Sequence, residues 1–215
     1  MKILVGIPSC PAHAACEQAQ RDTWLKDLPV AFYYKFVLGH NSFEPRYNGD
    51  YIYLGEDAYQ PTQGLQKYPT LPVKTKLLCK YTLFMGYDFL IKADTDTLMN
   101  PENFLFSDFE EHSYVGGYNK EESGEFCSGG AGYCLDRRAM KVIANTTVDH
   151  WSEDVFVALA LREKGILPHF NSGYRWKPGE VVDKSMISLH LRSARNAQTY
   201  DPIWMHETYA QMKAL

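Results

Sequence analysis

At 215 residues the chain has room for one α/β domain with a proper core and is short for two. A hydrophobic content of 45% and a charged content of 22% are ordinary for a globular protein, and a net charge of −4 lacks the basic excess that nucleic-acid binding needs. No run reaches the roughly 18–20 apolar residues that span a bilayer. The opening residues 1–8 carry one positive charge and a short apolar run, and read as a first strand rather than a signal peptide.

In chain order, the apolar run over 2–7 ends at Pro8-Ser9 and predicts a buried strand leading into a loop. Residues 12–25, rich in Ala, Gln and Glu, predict a helix. Residues 30–38 and 51–54 predict strands. Prolines and a glycine make 61–72 a loop. Residues 74–86 predict a helix with Leu77, Leu78, Tyr81 and Met85 on one face and Gly86 closing it. Residues 87–93 predict the strand that delivers Asp94, and Asn100-Pro101 turns the chain. Strand candidates at 114–117 and 132–135 flank a Gly-rich stretch, and 136–145 predicts a short helix. Residues 152–164 predict a longer one, capped by Ser152, with Glu153 and Asp154 in its first turn and Gly165 after it. A late strand at 186–191 and a terminal helix at 202–215 complete a single domain over 1–215. Alternating strands and helices in the first half predict a mainly parallel sheet covered on both faces. Ligands bind such sheets beyond the C-terminal ends of the strands, where Pro8-Ser9 and Asp94-Thr95-Asp96 both fall.

Five cysteines (Cys10, Cys16, Cys79, Cys127 and Cys134) without a CxxC pair argue against a disulfide framework or a zinc site, and for reduced thiols in a cytoplasmic setting. In that setting the sequon Asn145-Thr146-Thr147 has no consequence.

Asp94-Thr95-Asp96 carries the chemistry. In an extended segment, residues two apart point to the same side, so two carboxylates are brought together just past an apolar strand. A cation between them relieves the repulsion. Oxygen ligands favour Mg²⁺ or Mn²⁺, which commonly share their shell with substrate phosphates. Such an ion stabilises the charge that develops on a leaving diphosphate. The same tripeptide also occurs in solvated turns and helix caps, and on these residues alone both readings stand.

Ile91-Lys92-Ala93-Asp94-Thr95-Asp96 followed by Asn100-Pro101 resembles the metal-binding segment of the β-1,3-galactosyltransferase and Fringe group. Four further segments resemble that group in the same order: Arg21-Asp22-Thr23-Trp24, Asp57-Ala58-Tyr59 with Lys74-Thr75, Ser128-Gly129-Gly130-Ala131-Gly132-Tyr133, and Glu153-Asp154-Val155. The chain departs from the group in its short length, in lacking a membrane anchor and paired cysteines, and in having Asp-Thr-Asp where many members have three acids. Its compact form is also similar to transferase domains that decorate chlorella-virus capsids. That likeness implies a piece of a longer chain in the host cytoplasm, UDP-rhamnose or UDP-glucose as donor, and a viral capsid protein as acceptor.

The resemblance implies the GT-A fold, a Rossmann-like α/β domain with a mainly parallel central sheet flanked by helices. It implies transfer of a sugar from a UDP-sugar to a glycan or glycoprotein hydroxyl. Asp96 becomes the firmer metal ligand, and Asp94 is shared between metal and donor ribose. His190, an isolated His in an apolar strand and otherwise a core residue, becomes a third ligand that favours Mn²⁺ over Mg²⁺. Lys92 would brace the carboxylates, and Arg192 and Arg195 would clamp the diphosphate. Asp154, with Glu153 beside it, becomes the general base of an inverting transfer, although acids at a helix start are favoured by the macrodipole alone. Gly129 and Gly130 would let backbone approach the donor sugar or acceptor. Pro8 and Ser9 would lie by the nucleotide, with Arg21, Asp57 and Lys74 as further donor contacts and Trp24 in the core. Two other functions compete. A sugar nucleotidyltransferase usually has a basic Gly-rich loop where Ser9-Cys10-Pro11-Ala12-His13 stands. A non-catalytic carbohydrate-binding module is opposed by Asp94, Asp96, Asp154 and His190 occurring together.

Overall fold

The structure, a computed structural model, describes residues 1–39, 49–53 and 71–215. Strand β1 (Ile3–Pro8) is followed by helix α1 (Ala14–Asp22), strands β2 (Phe32–Leu38) and β3 (Tyr51–Tyr53) by helix α2 (Leu71–Phe84), and then come β4 (Phe89–Lys92), β5 (Thr97–Met99) and helix α3 (Pro101–Leu105). Next are β6 (Tyr114–Gly116), β7 (Tyr118–Glu121), β8 (Gly124–Cys127) and β9 (Tyr133–Asp136), then helices α4 (Arg137–Asn145) and α5 (Glu153–Arg162). The chain finishes with β10 (His169–Phe170), β11 (Tyr174–Arg175), β12 (Ser188–His190), α6 (Leu191–Ala194) and α7 (Ile203–Lys213).

Seven strands form the central sheet in the order β10-β6-β9-β4-β1-β2-β3. The pairings make β9 the one strand that runs against the other six. All six residues of β1 are buried, as expected of a central strand with a covered face on each side. Its odd residues Ile3, Val5 and Ile7 face a core with Trp24, Phe36, Phe104 and Phe109. Leu4 faces the other core, with Leu78, Leu90, Leu135 and Met140. Period-two alternation thus divides the interior into two layers of packing. Gly6 lets α2 lie close on the sheet, because a Cβ there would overlap the Leu78 side chain.

Several expectations from the sequence need correction. The helix expected over 12–25 is interrupted: Pro11–His13 and Trp24–Asp27 are 3-10 turns flanking α1. Thr23 leaves helical geometry (φ −117°, ψ −114°) and turns its Oγ1 back to the Ala19 carbonyl at 2.6 Å. The buried face of α2 is Lys74, Thr75, Leu78, Cys79 and Thr82, and Met85 is exposed. A polar-lined face conceals itself from a hydrophobicity pattern. Asn100-Pro101 starts a helix rather than a simple turn, with Asn100 Oδ1 accepting from the Asn103 amide at 3.2 Å. Ser152 does not cap α5 through its side chain. The small sheet β11-β12-β5 and the hairpin β7-β8 were not anticipated. Asp57-Ala58-Tyr59 lies outside the described residues.

Candidate active site

A cleft of about 540 Å³ opens beyond the C-terminal ends of β1 and β4. On the β1 side its wall is Pro8 and Ser9. Ser9 is buried, and its Oγ donates to Glu17 Oε1 at 2.5 Å. Lys74, from α2, donates to the Ser9 carbonyl at 3.0 Å. It is a buried brace at the cleft wall, not a solvated lysine. Arg21 points away from the cleft: its Nε reaches Asp50 Oδ2 at 3.3 Å, a guanidinium nitrogen donates to Tyr51 Oη at 2.8 Å, and its plane covers the Phe36 ring at 4.4 Å. Tyr51 in turn donates to Glu17 Oε2 at 2.5 Å. Arg21 therefore supports the Ser9 loop through Tyr51 and Glu17 and does not line the cleft.

On the β4 side, strand β4 delivers Lys92 to the interior and Asp94 to the rim. Lys92 is fully buried, and its Nζ lies 2.6 Å from Asp94 Oδ1, 3.3 Å from Glu153 Oε2 and 3.2 Å from the Gly129 carbonyl. Burial disfavours the ammonium, but the Asp94 and Glu153 carboxylates outweigh it and hold the group well above its ordinary range. The turn after Asp94 is fixed by the Asp94 amide donating to Thr97 Oγ1 (2.9 Å) and by Thr97 Oγ1 donating to the Gly130 carbonyl (2.8 Å). Gln20 of α1 donates to the carbonyls of both Asp94 and Thr97.

Asp96 and His190 meet across the small sheet, where His190 pairs opposite Thr97. His190 Nε2 and Asp96 Oδ2 are 2.9 Å apart, and Arg192 Nε lies 3.4 Å from the same oxygen. The far nitrogen of the imidazole, Nδ1, is held by Ser193 Oγ at 2.8 Å, the kind of outer contact that fixes a ligand's tautomer. Burial pushes the Asp96 carboxyl up, but the His190 hydrogen bond and the nearby charges prevail and hold it below its ordinary range. Gly130 has to be a glycine, since a Cβ there would overlap the His190 ring.

A cation of the Mg²⁺ or Mn²⁺ class fits part of this donor set. Adjacent corners of an octahedral shell with bonds near 2.0–2.1 Å are about 2.9 Å apart, which is the Asp96–His190 spacing. Asp94 lines the same cleft but is not gathered onto that edge. Among the described residues, the one His/Cys/Asp/Glu trio whose donor atoms all lie within 4.8 Å of one another is Asp108, His112 and His169. Lys92 holds Asp94 instead.

Helix α5 places two acids differently. Glu153 is buried; Tyr133 Oη donates to its Oε1 and Lys92 faces its Oε2. Burial raises its pKa against the pull of Lys92. Asp154 is half-buried, with Oδ2 accepting from the Gly129 amide at 3.2 Å and Oδ1 accepting from Ser152 Oγ at 2.6 Å. A Cβ on Gly129 would stand 3.4 Å from both Asp154 Oδ2 and Lys92 Nζ, so Asp154 adjoins the Lys92–Asp94 pair through one glycine.

Arg192 lines the cleft. Arg195 does not: it pairs with Glu207 Oε2 at 2.7 Å and covers the Trp204 ring. Trp24 is in the core, fully buried. Sequence reasoning missed the rest of the wall. His13 Nδ1 contacts Thr95 Oγ1 at 3.1 Å, and burial lowers its pKa against the pull of Asp96 and Asp94. Cys16 on α1 and Gln198, Thr199 and Tyr200, before α7, also line the cleft. Only the three-residue spacing of Cys10, His13 and Cys16 hinted at a shared face.

Solved glycosyltransferase structures share this fold. An active-site mutant of LgtC superposes with a TM-score of 0.54 at 9% identity, over 97% of this chain and 95% of that one. A glycosyltransferase involved in the glycosylation of the major capsid of PBCV-1 gives 0.55 at 11% identity, over 100% of both chains. GlyE from Streptococcus pneumoniae TIGR4 gives 0.56 at 13% identity, over 99% of this chain and 62% of that one. No protein-family model matches the sequence, and no curated protein matches it. At such identities the likeness is one of architecture: the chain has the GT-A glycosyltransferase fold, with a mostly parallel sheet flanked by helices. Among the described residues no helix is long and apolar enough to cross a membrane.

Proposed function

We propose that this chain is a metal-assisted glycosyltransferase that moves a sugar from a UDP-sugar to a hydroxyl of a glycan or glycoprotein. The observation that carries the reading is Asp96, which lines a cleft beyond β1 and β4 and is paired from behind by buried His190, in a glycosyltransferase fold. Asp96 and His190, with Asp94 nearby, would hold a Mn²⁺ or Mg²⁺ ion, which supplies Lewis-acid stabilisation of the leaving diphosphate.

The chain's own groups do the remaining work. Pro8 and Ser9 receive the nucleoside, with the Ser9 loop held rigid by Lys74 and Glu17. Arg192 sits on the Asp96 side and offers guanidinium donors to phosphate oxygens. Asp154 takes the proton of the acceptor hydroxyl as that oxygen attacks the anomeric carbon, which inverts the configuration there. Glu153 is unsuited to that role, because it is buried and paired with the Lys92 ammonium, whereas Asp154 is half-buried and, among the described residues, has no cation paired to it in that way. A capsid-glycoprotein acceptor, and with it UDP-rhamnose or UDP-glucose as donor, rests on the likeness to the PBCV-1 enzyme. A cytoplasmic setting rests on five free thiols.

The test is UDP release from a panel of UDP-sugars with Mn²⁺, with EDTA, and with Asp96→Ala. Mn²⁺-dependent release that EDTA and the variant both remove is the expected result. Absence of both binding and release across the panel overturns the reading. The anomeric configuration of the product, read by NMR, decides inversion against retention.

A further inference from the structure

Trp151 is a large apolar side chain to which the fold gives no packing role. It is half exposed, at 50%, and belongs to neither hydrophobic core. Among the described residues the one ring against it is His150, nearly parallel to it, with centroids 5.8 Å apart and planes 22° apart. His150 is itself anchored: it is half-buried, and its Nδ1 accepts from the Ser152 amide at 3.0 Å. An imidazole fixed to the backbone thus backs the indole and keeps a broad apolar surface at the solvent instead of folding it away.

The same segment is tied to Asp154. Ser152, the residue after Trp151, donates from Oγ to Asp154 Oδ1 at 2.6 Å. The other oxygen, Oδ2, is turned to the Gly129 amide at 3.2 Å, on the side of the buried Lys92. The carboxylate is therefore closed on the Gly129 side, and its approach from solvent runs past residues 150–152. His150 and Ser152 are half-buried, so the exposed side chain of that segment is Trp151.

A flat apolar ring beside a base selects among acceptors. A sugar ring has an apolar C–H face that lies flat on an indole, and hydroxyls around its edge that stay hydrated. The setting matches that chemistry: the chain neighbours Asp149, His150 and Ser152 are polar, so the indole is a single apolar plate in polar surroundings and not part of an apolar patch. A serine or threonine of a peptide carries a hydroxyl but no flat apolar face to lay on the plate.

We infer that Trp151 is the platform of an acceptor subsite, and that the acceptor hydroxyl belongs to a sugar ring rather than to a peptide side chain; the subsite rests on the proposed transferase with Asp154 as its base. His150 is a positioning residue that sets the plate. Ser152 links plate and base, so a ring stacked on Trp151 brings a hydroxyl at its edge toward Asp154.

The test titrates the full chain, with Mn²⁺ and UDP present, with the methyl glycosides of glucose, galactose, xylose, rhamnose and fucose, and reads binding by saturation-transfer NMR. Trp151→Leu keeps apolar bulk without a flat ring and is expected to weaken glycoside binding at least about tenfold, whereas Trp151→Phe keeps a ring and should stay within about threefold of the wild type. Calorimetry with UDP and Mn²⁺ on each variant reads the donor cleft separately. With a UDP-sugar in place of UDP, the loss should appear in the acceptor KM far more than in kcat, and a Ser/Thr peptide should not speed UDP release. Absence of glycoside binding across the panel, equal binding by the Leu variant, parallel loss of UDP and glycoside binding, or acceleration by the peptide overturns the platform. A chain that neither binds nor releases any UDP-sugar loses the transferase reading and the acceptor role with it. UDP release without Trp151-dependent glycoside binding leaves the transferase standing and removes the platform.

Discussion

Asp96 Oδ2 and His190 Nε2 lie 2.9 Å apart although the residues are separated by 94 positions. The antiparallel pairing of β5 with β12 brings them together, setting His190 opposite Thr97. One two-stranded contact therefore builds the proposed metal-ligand edge, and its members depend on each other. Asp96→Ala and His190→Ala are each expected to weaken Mn²⁺-dependent UDP-sugar binding by roughly two orders of magnitude, about 3 kcal/mol. Calorimetry with and without Mn²⁺ reads this directly. Donor affinity that stays at the wild-type value in either variant removes that residue from the metal site.

The two acids at the start of α5 should separate cleanly. Asp154→Asn keeps an oxygen for the Ser152 and Val155 donors but removes the proposed base. Donor binding should persist while kcat falls about 10²–10⁴-fold. Glu153→Gln should instead act on stability, because it removes the fully buried one of the two carboxylates that balance the Lys92 ammonium. Turnover of Asp154→Asn at the wild-type rate would reassign the base.

Lys92 is the buried charge on which Asp94 and Glu153 both lean. Lys92→Met leaves the Glu153 carboxylate buried and uncompensated, which costs about 3–5 kcal/mol, or roughly 10 °C in Tm. The double variant Lys92→Met/Glu153→Gln removes both charges and should recover part of that loss. Two single-variant losses that simply add in the double variant would show that the pair is not coupled.

Much of this arrangement was legible in the sequence, and the part that was not has a physical reason. β1 and β4 announced themselves as apolar runs ending in polar residues, so the positions of Ser9 and Asp94 followed from strand ends alone. Asp154 and Glu153 were readable as a helix start. Their division of labour was not, because it depends on Tyr133 and Lys92 arriving from two other strands. Arg21 read as a donor contact and Arg195 as a phosphate clamp; only the fold reveals that Asp50, Tyr51 and Glu207 claim them. The buried face of α2 escaped detection since Lys74, Thr75 and Thr82 are polar. β5, β10 and β11 are two or three residues long, below the length at which a period of two registers.

Gly130 gives an independent check on His190. Its missing Cβ makes room for the imidazole, and Ala has nowhere to go because the segment is tied down by Thr97 Oγ1 on the Gly130 carbonyl. Gly130→Ala should displace the His190 ring, lower Mn²⁺-dependent donor binding at least about tenfold, and lower stability by about 1–3 kcal/mol. Gly179→Ala, at a glycine with open space around it but a φ of +82°, is the comparison. It should cost stability through backbone strain alone and leave metal-dependent binding unchanged.

Cys16 reports on the cleft without any substitution. It is the half-buried thiol of the five, and the other four are buried. Burial, helped by the Asp96 carboxylate, pushes its pKa up to about 11. The thiolate is the reacting form, so the rate of alkylation should climb about tenfold per pH unit from roughly pH 8 to 10 without levelling, whereas an unperturbed thiol near 8.5 levels off by about pH 9.5. Because Cys16 lines the cleft, UDP with Mn²⁺ should slow the reaction at every pH. Iodoacetamide labelling followed by peptide mass spectrometry measures both effects. A plateau near pH 9 would mean that the thiol is more solvated than this packing allows, and labelling indifferent to UDP and Mn²⁺ would place the nucleotide elsewhere.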